Sequence, residues 1–187
     1  MAEKIGWELF RVEYKAALNN GEDIGYAIAD SYDKAITTAV PPLGGTQKGQ
    51  GSATVPGIIL PSDILEDDEG NPVLDLKGNK VKKKVKIMAS LLNGCLKNPL
   101  PFPPFSMALD TALKLYWVGA LSTNMCVVVN PGVTAAFIEP EGIKNKDVDD
   151  FIDQLIKSFD THLKQVQGLG LPLGTVPTVF TGYKVPG

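Results

Sequence analysis

Apolar residues recur at spacings of three and four along several stretches of the chain, which is the pattern of amphipathic helices. The first such stretch covers residues 3–19, and the second begins at Glu22 and is ended by Pro41. Gly21, between them, suits the left-handed position that commonly follows a helix, and proline cannot continue a helix. Because this connection is short, the pattern predicts an antiparallel helical hairpin.

Three further helices are predicted by the same spacing: residues 86–97, residues 107–121 and residues 147–168. Ser106 is a suitable N-cap for the second of these helices. The last helix has the clearest apolar stripe, and it contains His162, the one histidine of the chain. Since His162 falls on this stripe, we expect it to be a core or interface histidine.

One stretch has the pattern of a buried strand. Residues 125–129 are uncharged and rich in β-branched side chains, and the turn sequence at residues 130–132 follows them. Residues 133–138 are predicted to be the antiparallel partner of this strand. Helices combined with a small antiparallel β element predict a fold of the mixed α+β class.

The sequence after the last helix has an extended pattern. Residues 169–187 alternate proline and glycine with apolar side chains, so they cannot form a helix and are too apolar for a typical disordered tail. We therefore predict a single α+β domain at residues 1–168 and an extended C-terminal arm at residues 169–187. The arm is expected to pack either on its own domain or on a neighbouring chain.

Two internal segments are predicted to be extended loops. Residues 41–57 are rich in glycine, which predicts a flexible surface loop or an interface arm, and the lysine of a phosphate-binding loop is absent after Gly49. Residues 66–86 pass from a run of acids to a run of lysines, which predicts an exposed charged hairpin or excursion. The acidic run does not fit a calcium loop, because the EF-hand spacing counted back from Gly70 puts Leu65 at the first ligand position.

Charge and hydropathy narrow the class of protein. The chain has 18 Lys and Arg against 21 Asp and Glu, a net charge of -3, so it lacks the basic surface expected of a nucleic-acid-binding protein. The longest apolar region, residues 105–129, contains Asp110 and Lys114, and no transmembrane span is predicted. The first ten residues lack the apolar segment of a secretory signal, and a soluble protein made in the cytoplasm is expected.

Side chains suited to catalysis are few. The single histidine and the two cysteines, Cys95 and Cys126, fit no zinc-binding or nucleophilic pattern, and the glycines form no dinucleotide-binding fingerprint. The sequence therefore predicts no catalytic, cofactor-binding or metal-ligating residue, and we expect a protein that is not an enzyme. Two buried thiols are the simplest interpretation of the cysteines, and a single disulfide is the alternative.

Two other functions remain open at this stage. A small enzyme or ligand-binding protein would need a pocket near His162 and Tyr116, with polar partners for the imidazole. An adaptor would instead bind a peptide along the edge of the strand at residues 125–129.

Several stretches resemble structural proteins of tailed bacteriophage particles. They are the helix with Tyr26, Ala29 and Tyr32, the loop GGTQKGQGS, the segment SFDTHLKQVQG and the extended C-terminal tail. The resemblance implies a non-enzymatic subunit of the virion neck, tail or baseplate, made in the host cytoplasm. Its partners would be copies of itself and other virion structural proteins, and no functional residue follows from the resemblance.

Overall fold

The computed structural model describes residues 4–38, 46–48, 62–75, 78–97, 105–121, 126–132, 147–170, 178–183 and 185. Within these residues lie five helices: α1 (Gly6–Asn19), α2 (Ile24–Thr38), α3 (Lys83–Lys97), α4 (Phe105–Trp117) and α5 (Val148–Leu163). The strands are β1 (Thr46–Lys48), β2 (Cys126–Asn130), β3 (Gln167–Gly170) and β4 (Thr178–Thr181). This combination of helices with a small antiparallel sheet confirms the predicted α+β class.

The predicted N-terminal helical hairpin is also confirmed. Gly21 has a φ of 73°, and the backbone N–H groups of Gly21 and Glu22 donate to the last carbonyls of α1, those of Leu18 and Ala17, both at 3.0 Å. The chain then reverses into α2. Helix α2 packs against α1 on one side and α3 on the other, and α3 packs in turn against α4.

The core is built around aromatic side chains from α1, α2 and α5. The ring of Phe159 lies 5.6 Å from Trp7, 5.4 Å from Phe10 and 4.6 Å from Tyr32, measured between centroids. Phe10, Tyr32 and Phe159 are fully buried. Such aromatic pairs are worth about 0.5–1.5 kcal/mol each beyond the burial of their area. Phe159 therefore joins α5 to the helical hairpin.

The four strands form one antiparallel sheet in the order β1-β4-β3-β2. The prediction that the last helix extends to residue 168 was wrong, because α5 ends at Leu163 and residues 167–170 are β3. Backbone pairing of β3 with both β2 and β4 explains the difference, since this long-range pairing is stronger than local helix preference. The predicted partner of β2, residues 133–138, lies outside the described residues.

The C-terminal stretch packs on its own chain wherever it is described. It contributes the end of β3 and all of β4, and Tyr183 is buried with its ring centroid 5.0 Å from that of Trp117. Strand β3 spans residue 168, and the division of the chain there into a domain and an arm stays a prediction. Most of the glycine-rich segment 41–57 lies outside the described residues, while Thr46–Lys48 within it form β1.

Two helix boundaries differ from the predicted ones. The helix predicted at residues 86–97 begins at Lys83, so the end of the charged segment 66–86 is helical. The helix predicted at residues 107–121 spans Phe105–Trp117 instead, because Gly119 has a φ of 64° and turns the chain. After that turn, the Ala120 carbonyl accepts from the Val128 N–H at 2.9 Å, which ties α4 to the sheet.

Candidate functional site

The segment before α3 contains the same tight turn twice. In the first turn (Asp67 to Asn71), the Asp67 carboxylate accepts from the Asn71 N–H at 2.8 Å. In the second turn (Asp75 to Asn79), the Asp75 carboxylate accepts from the Asn79 N–H, also at 2.8 Å. The fourth residue of each turn is a glycine with a φ of 82°, a conformation that favours glycine. Local sequence alone explains both turns.

The two turns connect three short extended segments, and we call the whole unit, within residues 62–82, the double hairpin. The N–H of Leu65 donates to the Val81 carbonyl at 2.7 Å, that of Val81 to Val73 at 2.9 Å, and that of Val73 to Leu65 at 2.8 Å. This cycle of hydrogen bonds links the segments to one another. The predicted charged excursion is thus a hydrogen-bonded unit with two turns.

A buried carboxylate holds the double hairpin against the helices. Asp33, on α2, is 0% exposed, accepts from the Tyr116 hydroxyl at 2.9 Å and forms an ion pair with Lys82 at the end of the double hairpin. Burial, and then the neighbouring Asp33 charge, raises the pKa of Tyr116, so the hydroxyl stays protonated and donates. Three elements therefore meet at one carboxylate.

A surface cavity of about 310 Å³ lies between the helical hairpin and the second turn. Its lining residues are Glu13, Ala16, Ala17, Asn20, Glu22, Tyr26, Asp30, Lys34, Asp75, Asn79, Lys80 and Lys82. The Lys34 ammonium is held at 2.6 Å from Glu13 and 3.0 Å from Asp30. These contacts raise the pKa of Lys34 despite its partial burial, and the ammonium stays charged.

Tyr26 lines this cavity, and both burial and nearby charges affect its phenol. Its pKa is raised to about 12, first by burial and then by the negative charges of Asp30, Asp75 and Glu22, against a smaller opposing effect of Lys34. Burial is the largest of these causes, and carboxylates from α2, from the connection between α1 and α2 and from the second turn add to it.

Several exposed side chains of α4 and of the residues after it are apolar. Met107 and Leu115 of α4 are 56% and 46% exposed and lie on one side of the helix with Thr111 between them, and Val118, directly after the helix, is 55% exposed. Leu121 and Val129 are also exposed. We call these five apolar residues the α4 surface.

His162 and Tyr116 are placed together but are not accessible. Both are buried against Trp117, with ring centroids 6.4 Å and 6.1 Å from that ring. Burial lowers the pKa of His162 from 6.5 to about 4, and the Pro131 carbonyl opposes this shift only in part. The cavity described above is lined by other residues. Of the two expected positions for His162, core and interface, the structure shows the core, and the hypothesis of a pocket here stays a prediction.

Other sequence predictions concern metals, thiols and membranes. Cys95 is a half-buried thiol on α3 whose pKa is raised by burial, and the side chain of Cys126 lies outside the described part. Among the described residues, no group of three His, Cys, Asp or Glu side chains could hold a metal ion. In the same part of the chain, no helix is long and apolar enough to cross a membrane.

Sequence reasoning missed three features for which signals exist. Asp33 is a charged residue among the apolar positions of α2, which is a signal for a buried polar cluster. Asp67 and Asp75 begin turns of the same pattern at an eight-residue spacing. Met107 and Leu115 are apolar residues outside the core stripe of α4.

A scan against protein-family models found no match, and searches of curated proteins and of solved structures found none either.

Proposed function

We propose that the chain is a non-enzymatic structural subunit of a tailed bacteriophage particle, in its neck, tail or baseplate. It assembles with copies of itself and with other virion structural proteins, and it has no nucleic-acid specificity. The observation that carries the proposal is the α4 surface, to which the resemblance described above adds the kind of particle. The net charge of -3 agrees with protein partners more than with nucleic acid.

The α4 surface is unusual for a helix that faces only water. A helix on the surface of a globular protein normally carries polar side chains on its outward face. Here Met107 and Leu115 of α4 and Val118 directly after it are exposed, and Asp110 and Lys114 pair with each other at 2.6 Å beside them. Larger exposed apolar patches mark sites of association, because burying them is favourable.

The sheet extends this apolar surface. Leu121 pairs with Val127 in an antiparallel bridge, so the residues after α4 lie beside β2, and Val129 is two residues farther along that strand, where the pairing of β2 with β3 is irregular. Val129 is 59% exposed, whereas Val128 between them is buried. The α4 surface thus combines helix and strand residues, and its burial between subunits would stabilise an assembly.

Sedimentation velocity of the purified chain tests the proposal. We expect a defined oligomer for the wild type and a shift to monomer for the double variant Leu115→Lys and Val118→Lys, since two charges would enter the interface. Val12→Lys is the matched control, because Val12 is 39% exposed but lies on α1. A monomeric wild type, or equal dissociation by the control, contradicts the proposal.

Electron microscopy of the same sample tests the kind of particle. Neck and tail components form closed rings or tubes by rotational symmetry, so we expect ring-shaped particles of one diameter in the wild type. The Lys double variant is expected to abolish them. An isologous dimer without rings would support self-association but contradict the assignment to a neck, tail or baseplate.

A further inference from the structure

The double hairpin contacts the helices largely through polar groups, whereas the helices pack on one another through apolar side chains. We infer that the double hairpin unfolds locally as one unit while the helices stay packed, and that the ion pair between Lys82 and Asp33 stabilises its closed state. This local unfolding would open Asp33 and the Tyr116 hydroxyl to water. The inference does not depend on the proposed function, because the α4 surface contains neither the double hairpin nor Asp33.

Few side chains of the double hairpin are buried. Among its described residues only Val81 is buried, at 6% exposed, while Leu74 is 56% exposed and every residue from 66 to 72 is exposed. None of these described residues belongs to the apolar core that the helices and the sheet form. Elements with little buried apolar surface open at a lower free energy than the whole protein. The double hairpin is therefore expected to open before the helices do.

The backbone hydrogen bonds of the double hairpin join its three segments into one unit. Those donated by Leu65, Val73 and Val81 form the cycle described above, so no segment can leave without breaking its bonds to the other two. Small antiparallel units need packing against a helix or another hydrophobic face to be stable in water. Once the double hairpin leaves the helices, we expect all three hydrogen bonds to be lost together.

Asp33 changes from a buried to a hydrated carboxylate when the double hairpin opens. In the closed state it is 0% exposed, forms the ion pair with Lys82 and accepts from the Tyr116 hydroxyl at 2.9 Å. A buried charge is tolerated only while it is paired and hydrogen-bonded. On opening, water replaces Lys82 beside the carboxylate, so no dry unpaired charge remains. The ion pair therefore affects how often the double hairpin opens, and the helices need not unfold with it.

Hydrogen exchange of the full chain, followed by NMR at urea concentrations below the unfolding range, tests the inference. We expect the amides of Leu65, Val73 and Val81 to share one opening reaction, with protection at least about tenfold lower than that of Leu113 and Phe159 in the core helices. Their exchange should also depend less on urea, because local unfolding exposes less surface than global unfolding does.

Two neighbouring lysines provide a matched pair of variants. Lys82→Met removes the ammonium paired with Asp33, although the charge of Lys84 still acts on that carboxylate. Lys83→Met removes an exposed ammonium at the start of α3. We expect Lys82→Met to lower the protection of the three amides about tenfold, the scale of one charge-assisted hydrogen bond, and Lys83→Met to change it by about twofold at most.

Tyr116→Phe tests the same cluster if Lys82→Met does not fold. It keeps the ring and removes the hydroxyl that donates to Asp33, so the protection of the same amides should fall severalfold. Circular dichroism of each variant checks that the helical content is that of the wild type. The inference is overturned if the wild-type double hairpin is as protected as the core helices, if its three amides follow different urea dependences, or if Lys82→Met lowers their protection no more than Lys83→Met.

Discussion

Helices α4 and α5 both bury an apolar face, but their exposed faces differ in chemistry. Leu109 and Leu113 of α4 are fully buried, as are Leu155 and Phe159 of α5. The outward side of α5 carries acids and a lysine, with residues 149, 150, 153 and 157 all exposed. The outward side of α4 instead carries Met107 and Leu115, and the other residues of the α4 surface follow the helix in sequence. The outer side of α5 is therefore polar, whereas that of α4 is largely apolar.

This difference separates two kinds of information in a helical sequence. The apolar stripe tells which side of a helix is buried within its own chain, and both helices satisfy this rule. The composition of the opposite side tells what that side contacts next. On α5 the acids pair with bases of α1, as in Arg11–Asp153 at 2.5 Å and Lys15–Asp149 at 2.5 Å. On α4 the outward apolar residues are exposed, and the proposed assembly rests on this exposure.

The largest loss of stability is expected from changes on the inward faces, and the loss should be similar for α4 and α5. Leu113→Ala on α4 and Leu155→Ala on α5 each remove a fully buried leucine side chain. Each variant should lose about 2–5 kcal/mol of the free energy of unfolding, from lost burial and the remaining cavity. Urea denaturation followed by circular dichroism measures the loss. A loss below about 1 kcal/mol on one helix only would show that its inward face does not contribute equally.

A smaller loss of stability is expected at acidic pH, and it comes from His162 on α5. Burial lowers the pKa of His162 from 6.5 to about 4, so the folded protein holds a neutral imidazole where the unfolded chain takes up a proton. Between those two pH values the unfolded state binds more protons, and the free energy of unfolding falls as the pH falls. The slope is about 1.4 kcal/mol per pH unit, for about 3 kcal/mol in total.

His162→Gln isolates this contribution. Glutamine does not titrate and has a similar volume, so the variant should lack the histidine part of the acid slope while keeping that of the carboxylates. Urea denaturation at several pH values between 4 and 7 measures both proteins. Parallel pH profiles for wild type and variant would contradict the burial of a neutral His162.

The fold could be predicted as far as local pattern decides it. The inward residues of α4, such as Leu109 and Trp117, follow from spacing alone, because the helical period is a property of the segment itself. The end of α5 could not be predicted, since Gln167–Gly170 leave the helix in order to pair with strands on both sides. Those partners are distant in sequence, and no local signal identifies them.

The candidate sites, too, could be predicted only where local sequence determines them. The repeated turns follow from their Asp, Gly and Asn residues, but the contact of only the second turn with the cavity depends on how the double hairpin packs. Asp33 meets Lys82 across 49 residues of sequence, so the spacing of neither residue predicts their ion pair. The α4 surface was visible in the sequence as apolar residues outside the stripe. Its exposure required the packing of the other helices.

The smallest effect is expected on the outward faces, where α4 and α5 differ most in chemistry. Asp153→Ala breaks an ion pair whose side chains are 39% and 60% exposed, and Leu115→Ala shortens an exposed side chain. Each change should alter the free energy of unfolding of the monomer by no more than about 0.5 kcal/mol. Urea denaturation at protein concentrations below the association range measures the free energy of unfolding, and high salt should remove even the small loss of Asp153→Ala.

A loss above about 1.5 kcal/mol for Leu115→Ala in a monomer would mean that this side chain packs within its own chain. The apolar outer face of α4 would then serve folding, and its contrast with α5 would no longer support assembly.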